Sequence, residues 1–402
     1  MGKGSTVLVT VHGIGFQQPP VDGRPGYADG LHARLRTELG ALLGDDPERP
    51  DGGPVYVRSE VDGSREQGLA RLGPGKALAQ PGRIAHVALV YSPSEPLVSR
   101  AGSVADALAR AALAHRHYTS VLGALRLVFG DAWAALHETS PADASSSLRP
   151  RSDAPIAHAH HAWLDRVLHG RADPQAPLPP PDPGAFGMLR ALEDDVATYV
   201  ARNDLRERVR GFVQAALLAL WDRAGADDVT GVVVNGHSQG TVLTWDVLCR
   251  LPFYSWRATD PRRAQLLRHY VTAGSPIRKY VDMFAWGEQV GQLAAVFDGQ
   301  LDAPAWSNFW DPHDPVADPL DAATAWRFGD PLDKRPAGDL GLLLRREPAG
   351  GPAQHVAIAD VKVDNVHDSA GGGLQAHDYW NNQTQFVAPL AEILRRASGA
   401  GA

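Results

Sequence analysis

Residues 228–250, DVTGVVVNGHSQGTVLTWDVLCR, constrain the fold more than any other stretch of this chain. Val229 and the run Val232–Val234 are β-branched and together make the length of one buried strand. Gly236-His237-Ser238-Gln239-Gly240 then turns sharply, and an apolar segment with Val242, Leu243, Val247 and Leu248 follows at helix-compatible spacing. Small residues stand two before and two after the serine. A Cβ at position 236 or 240 would strike the neighbouring strand or helix, so only glycine lets the chain turn this tightly. The turn forces Ser238 into a strained backbone conformation, lifts its hydroxyl above the sheet and aims the amide of Gln239 at the same place. Strand, G-x-S-x-G and helix in that order make a nucleophile elbow. The alternative is a glycine-flanked serine in an ordinary strand–helix turn; a bare G-x-S-x-G is common, and the strand before it and the helix after it are what favour the elbow.

The rest of the chain is built to match an open α/β sheet. Thr6–Val11 reads as a buried strand that ends in the tight loop His12-Gly13-Ile14-Gly15-Phe16. A helix follows over His32–Leu43, with leucines at 31, 35, 39, 42 and 43, and Val55–Val61 alternates weakly as a strand. Residues 63–82 are glycine-rich and charged and read as a surface loop, and His86–Tyr91 is a second buried strand. Helices are expected at Met188–Ala201 and Asp204–Arg223, the second with one apolar face from Leu205 to Leu220. Strands are expected at Tyr270–Thr272 and Trp306–Phe309, and Leu342–Arg346 with His355–Val363 reads as a hairpin or two late strands. A last helix, Phe386–Ala397, closes the domain.

Residues 96–184 interrupt this rhythm. Two helices are expected at Ala101–Tyr118 and Ser120–His137, the second with an apolar stripe through Val121, Leu125, Val128, Phe129, Trp133 and Leu136. A Ser/Pro-rich loop expected to be disordered follows over about 138–160, then a short helical piece and a second proline run. The expected division is therefore a core of 1–95 and 185–402, with 96–184 inserted as a helical cap or lid.

Bulk properties exclude several classes of function. With 402 residues the chain can bury a full core, and its 44% hydrophobic and 21% charged composition is that of a water-soluble globular protein. A formal charge of −7 gives no electrostatic grip on nucleic acid. One cysteine, Cys249, allows neither an internal disulfide nor a cysteine metal cluster. It reads as a buried structural thiol. No secretory signal and no membrane-spanning run is visible, so a cytoplasmic protein is expected, with room for peripheral contact with a membrane. The wealth of Ala, Arg, Gly and Pro beside 3 Met has the look of a GC-rich bacterial genome. His158, His160 and His161 lack a carboxylate at ligand spacing, and no phosphate or dinucleotide motif occurs, so no metal and no cofactor is expected.

A serine hydroxyl is a weak nucleophile and needs a base held in the right tautomer by a third group. Downstream of Ser238 two stretches offer them. Trp306–Val316, W-S-N-F-W-D-P-H-D-P-V, runs from a strand into an acid-rich turn, and Gly371–Trp380, G-G-G-L-Q-A-H-D-Y-W, carries His377 ahead of the last helix. Asp311, Asp314 and Asp318 compete as the acid, and His367 competes with His377. His12 and His237 sit inside glycine turns, where hydrogen bonds to neighbouring backbone are the expected role.

With V-H-G-I-G after the first strand, G-H-S-Q-G, T-A-G-S-P, N-x-x-D-P-x-D-P-V and H-D-Y-W in this order, the chain resembles the α/β-hydrolase superfamily, in its serine lipase/esterase-like branch. The markers spread over most of residues 6–385. The resemblance implies an α/β-hydrolase fold, a mostly parallel central sheet with helices on both faces. It also implies Ser238 as nucleophile, Asp314 as orienting acid and His377 as base. The backbone N–H groups of Ile14 and Gln239 would form the oxyanion hole. The implied reaction is hydrolysis of a carboxylic ester, with a lipid or phospholipid ester as the sharper expectation because the 121–136 stripe could line an acyl groove. The alternatives are a hydrolase-fold binding module without catalysis, a serine peptidase or a thioesterase. Oligomeric state is not legible. A histidine base must be neutral to work, so turnover should fall as the solution is acidified from pH 8 to pH 5; a rate constant over that range would contradict it.

Overall fold

The structure is a computed structural model. It describes residues 5–13, 20, 25–59, 65–80, 82–91, 203–224, 229–277, 305–312, 314, 316, 317, 319, 320, 345–346, 354–355, 358–365 and 374–399. Contacts divide the chain into one unit of 1–92 with 208–402 and another of 93–207. The expected cap at 96–184, with its loop at about 138–160, and the helix expected at Met188–Ala201 lie outside the described residues.

The first unit is an α/β fold around an eight-stranded sheet. Its strands are β1 (Ser5–Val11), β2 (Leu43–Gly44), β3 (Val55–Arg58), β4 (Ile84–Val90), β5 (Val229–His237), β6 (Leu267–Ala273), β7 (Ala305–Trp310) and, after a separate antiparallel pair of β8 (Arg345–Arg346) with β9 (Gln354–His355), β10 (Ile358–Lys362). The order across the sheet is β10-β7-β6-β5-β1-β4-β2, with β3 also paired to β4, and every pairing described in it is parallel. Parallel strands buried on both faces need continuous apolar runs. β4 is buried at all seven positions, and Val7, Leu8, Val9 and Val11 of β1 with Val232, Val233 and Val234 of β5 are closed to solvent.

Side chains alternate across the sheet, so each strand feeds two cores. On one face Leu8, Val233, Val271 and Phe309 pack with Leu31 and Leu35 of α1 (Asp29–Leu39) and with Leu390 and Leu394 of α7 (Ala388–Ala397). On the other, α4 (Gln239–Arg250) meets the sheet: the Tyr270 hydroxyl donates to the Thr241 carbonyl at 2.8 Å. Beside α4 lies α3 (Asn203–Ala224), which buries Phe212, Val213, Leu217, Leu220 and Trp221. Cys249 is a buried thiol on α4. Among the described residues no helix is long and apolar enough to cross a membrane.

Several boundaries differ from those expected. The first helix starts at Asp29 and stops at Leu39, because Gly40 takes φ +54°, a conformation that other residues rarely adopt. Leu43 and Gly44 then join the sheet as β2 instead of ending the helix. Within the expected surface loop 63–82 lies α2 (Arg65–Ala70). Its Arg, Glu, Gln, Leu and Ala are helix formers that the surrounding glycines masked. The late stretch 355–363 divides: Gln354–His355 pairs with Arg345–Arg346, while Ile358–Lys362 adds to the main sheet beside β7 as an edge strand. The last helix is shorter than expected, preceded by a wide π-type turn at Gln383–Val387 that the Asn382 side chain caps through the Gln385 N–H at 2.9 Å.

Two short helices, α5 (Phe253–Thr259) and α6 (Pro261–Ala264), lead from α4 back to β6. Trp221 of α3 ties this corner down, stacking on Trp256 and donating its indole N–H to the Arg263 carbonyl at 2.9 Å.

α3 and α4 are held together by an ion pair closed to solvent, Arg210 Nη1 to Asp246 Oδ2 at 2.8 Å, with Arg250 Nε on the other carboxylate oxygen at 3.2 Å. Removing one partner of a buried pair strands the other charge, a loss of about 3–5 kcal/mol, whereas replacing both by apolar groups is far milder. Asp246→Ala should therefore lower the urea-unfolding free energy by about that amount, and Arg210→Met with Asp246→Leu should recover most of it; equal losses in the two variants would contradict this.

Candidate functional site

The strand order locates the site before any side chain is considered. Proceeding from β1, the chain lays β4 on one side and β5, β6, β7 and β10 outward on the other. Where successive strands depart in opposite directions, the loops leaving their carboxyl ends diverge and open a crevice. The loops at this edge are His12-Gly13 after β1, Ser238 after β5, Gly274 after β6, Asp311 and Asp314 after β7, and, beyond β10, the segment carrying His377.

Ser238 sits at the junction of β5 and α4 with φ +55° and ψ −129°. It is the only described residue other than glycine at positive φ. Such a backbone costs on the order of 1–3 kcal/mol and persists only when its surroundings hold it. The Ser238 N–H donates to the Ala273 carbonyl at 2.9 Å, and its carbonyl accepts the Thr241 hydroxyl at 2.7 Å and the Thr241 N–H at 2.9 Å. Glycines make room around it. A Cβ on Gly236 would come within 2.8 Å of the Thr241 Cα, and one on Gly240 would run into the carbonyls of Val11 and His12. A Cβ on Gly13 would overlap the Ser238 side chain itself. Gln239 is the first residue of α4, so its backbone stands at the positive end of the helix dipole. Ile14 lies outside the described residues.

His377 and Asp314 are brought together from positions 63 residues apart, Nδ1 to Oδ2 at 2.7 Å. Both side chains are closed to solvent. The other carboxylate oxygen, Oδ1, accepts the Val316 N–H at 2.8 Å, and Oδ2 also accepts the Tyr379 hydroxyl at 2.9 Å. Burial alone would raise the Asp314 pKa, but the charge and hydrogen bond of His377, with these further donors, hold it below the ordinary carboxylate range. A carboxylate is an acceptor only, so His377 Nδ1 carries the proton and a neutral ring leaves Nε2 as a lone-pair acceptor. Among the described residues that buried Nε2 has no hydrogen-bond partner.

The ring of His377 is positioned from two sides. Gly274, at φ +62°, passes so close that a Cβ there would lie 2.6 Å from its Cε1. His237, next to the serine, lies with its ring centroid 4.7 Å from that of His377 and donates from Nε2 to the His377 carbonyl at 3.0 Å. The residue preceding Ser238 and the residue paired with Asp314 are thus in direct contact. His237 bonds across 140 residues, not to neighbouring backbone as its glycine turn suggested. His12 does bond locally, from Nδ1 to the Gly13 carbonyl, and stacks on Tyr91.

The acid-rich turn separates by role. Asp311 accepts the Asn365 N–H at 2.6 Å on Oδ2 and offers its own N–H to the Tyr379 hydroxyl oxygen at 2.9 Å, which joins the ends of β7 and β10. Asp318 and His367 lie outside the described residues, as do His158, His160 and His161. Among the described residues no group of three or more His, Cys, Asp and Glu side chains is placed to hold a metal ion. Sequence reading passed over Tyr379, Asn365 and Trp380, the last with its ring centroid 5.2 Å from that of His237. The H-D-Y-W string contains two of them, but nothing in a linear pattern tells a tyrosine that packs from one that bonds a carboxylate. No protein-family model, curated protein or solved structure matches the chain.

Several histidines here are held neutral by burial. Desolvation brings the pKa of His12 and of His237 down to about 3 and that of His269 to about 4. Burial also lowers His86 and His32, which face each other, Nδ1 to Nδ1, at 3.2 Å. The unfolded chain protonates these rings near pH 6.5 and the folded one does not, so the stability they confer is whole above about 6.5 and is lost as pH falls toward their folded values. His12 and His237, with folded values near 3, should each remove about 1.4 kcal/mol per pH unit between pH 5.5 and 4.5, and the other rings act in the same direction. Urea melts across pH 7.5 to 4.5 should show a plateau and then a steep decline, and a flat profile would contradict neutral burial.

Proposed function

We propose that the protein is a serine hydrolase of the α/β-hydrolase kind that cleaves carboxylic esters, with Ser238 as nucleophile, His377 as base and Asp314 as the acid that orients it. The observation that carries this reading is His377 itself: Nδ1 bound to a buried carboxylate, Nε2 without a partner among the described residues, and the ring against the residue preceding a serine at positive φ. Most buried polar atoms are hydrogen-bonded, and an unpartnered Nε2 opposite a carboxylate-bound Nδ1 suits a ring that takes a proton. A serine with no special role would not need a strained backbone.

In the proposed reaction Nε2 of His377 takes the Ser238 proton as Oγ attacks the acyl carbonyl carbon. The imidazolium that forms keeps its Nδ1–H on Asp314, which remains ionised. The oxygen of the tetrahedral intermediate is taken by the backbone N–H groups of Gln239 and Ile14, the first aided by the positive end of α4. His377 then returns the proton to the departing alkoxide, leaving an acyl-serine and an alcohol. Water, deprotonated by the same nitrogen, attacks the acyl-serine, and the second collapse releases the carboxylic acid and restores the Ser238 hydroxyl. No metal or cofactor is required by this sequence.

The placement of these groups supports the reading further. Ser238, Asp314 and His377 lie beyond the carboxyl ends of three parallel strands, β5, β7 and β10, in the order serine, acid, histidine along the chain. A helical cap drawn from 96–184 and a lipid-like acyl chain as substrate belong to the same proposal, resting on the apolar stripe at 121–136.

The test is hydrolysis of p-nitrophenyl esters from short to long acyl chain, together with labelling by a fluorophosphonate. Wild type should turn over and label, and Ser238→Ala should do neither above background. Asp314→Asn should lose on the order of 10³–10⁴ in kcat. Labelling without turnover would keep the serine and overturn the ester class, and no labelling of well-folded wild type would overturn the reading.

A further inference from the structure

We infer that Tyr379 is a positioning residue for the proposed catalytic pair, its hydroxyl sharing with His377 a single oxygen of Asp314. This rests on the reading of Asp314 and His377 given above. The hydroxyl donates to Asp314 Oδ2 at 2.9 Å, the oxygen that also takes the His377 Nδ1–H at 2.7 Å. A phenol has one proton to give, so its oxygen can only accept at its remaining contact, and there it takes the Asp311 N–H at 2.9 Å. Both of its bonds are thereby fixed in direction. The ring is fully buried against Phe386 and beside Gly274, whose missing side chain admits it: a Cβ there would lie 2.9 Å from Tyr379 Cε2.

This arrangement has two consequences for His377. First, the carboxylate cannot rotate. Val316 N–H holds Oδ1, and the hydroxyl and the imidazole hold Oδ2. Second, Oδ2 divides its charge between two donors, so the imidazole receives less of it than from a carboxylate of its own. Tyr379 therefore fixes direction while tempering the field that stabilises an imidazolium. Among the described residues, the other titratable groups facing this pair are His237, against the ring of His377, Asp311, beneath the hydroxyl, and His12, farther off toward β1. Burial keeps His237 and His12 uncharged down to about pH 3, so neither titrates in the working range.

Asp311 gains a role in the same step. It anchors the hydroxyl through its backbone N–H and the end of β10 through its carboxylate on Asn365. The acid beside the reacting pair is thus part of the frame that aims Tyr379.

Tyr379→Phe keeps the ring and removes only the hydroxyl. At the pH plateau kcat should fall about tenfold, as for loss of one charge-assisted bond, with KM unchanged. The acid limb of kcat/KM should move to higher pH, because Asp314 then gives its whole charge to the imidazole. A residue that merely fills space would lower kcat, if at all, with no movement of that limb. Since the phenylalanine leaves the Asp311 N–H without its acceptor and could destabilise the protein, the companion variant is 3-fluorotyrosine at 379. It retains both bonds, donates more strongly and should move the limb to lower pH. Shifts of opposite sign in the two proteins are expected, and an acid limb unmoved in both overturns the inference. The low-field proton resonance of His377 Nδ1, identified by its loss in His377→Gln, separates this from failure of the functional reading. Its position should change in Tyr379→Phe even if no ester is turned over, and an unchanged resonance overturns the role of Tyr379 alone.

Discussion

At the carboxyl ends of β1 and β5 two stretches of backbone come closer than side chains permit, and the site depends on that approach. Gly240 fits against the carbonyls of Val11 and His12, and Gly13 fits against Ser238. Without this contact α4 could not begin so soon after β5, and Ser238 would have no reason to hold φ +55°. The strain is local, but its support is spread over the fold. The Ala273 carbonyl of β6 receives the Ser238 amide, and Thr241 closes on the Ser238 carbonyl from α4. A sheet whose strands all run in parallel delivers these loops to one edge, so a single constraint at β1 and β5 fixes what β6, β7 and β10 must present there.

A second layer of order surrounds the acid-rich turn. Asp311, Asn365 and Tyr379 tie the ends of β7 and β10 to the segment that carries His377. Asn382 continues this network: its side chain donates to the Asp364 carbonyl at 3.1 Å and to Asn365 Oδ1 at 2.9 Å, and its Oδ1 caps the turn that leads into α7. Such a network is worth having only if every member is satisfied, because an unpaired polar group at this depth is costly. The result is a histidine that arrives from a distant part of the chain yet is held at its ring by Asp314 and at its carbonyl by His237.

Electrostatics at this edge are set by burial as much as by charge. His12 and His237 are neutral because they are dry, and Asp314 brings a carboxylate in among the rings. A carboxylate amid neutral aromatic rings exerts its field on the imidazole it touches, with little water to screen it. Under the proposed function that field is what the reaction draws on, and Tyr379 and Val316 set how much of it reaches His377.

The sequence by itself determined the strands and the tight turn. Runs such as Val232–Val234 and His86–Tyr91 are too apolar to lie anywhere but inside a sheet covered on both faces, and Gly236 and Gly240 bracket Ser238 because no other residue fits there. Those are local requirements, and local composition records them. Short or edge elements were less legible. β2 is two residues long and α2 six, so neither carries a full period of hydrophobic pattern, and β10 is only half covered. Residue types and spacing left Asp311 and Asp314 both open as the partner of His377; the resemblance pointed to Asp314, and the tertiary structure is what brings the two together. Asp311 and Asp314 stand three residues apart in the same turn, and only the approach of Tyr379 and Asn365 directs one to the frame and the other to the imidazole. The same holds for His237, whose partner is a carbonyl 140 residues away. A sequence states what each residue can bond; the partner it finds depends on which loops the sheet brings to one edge.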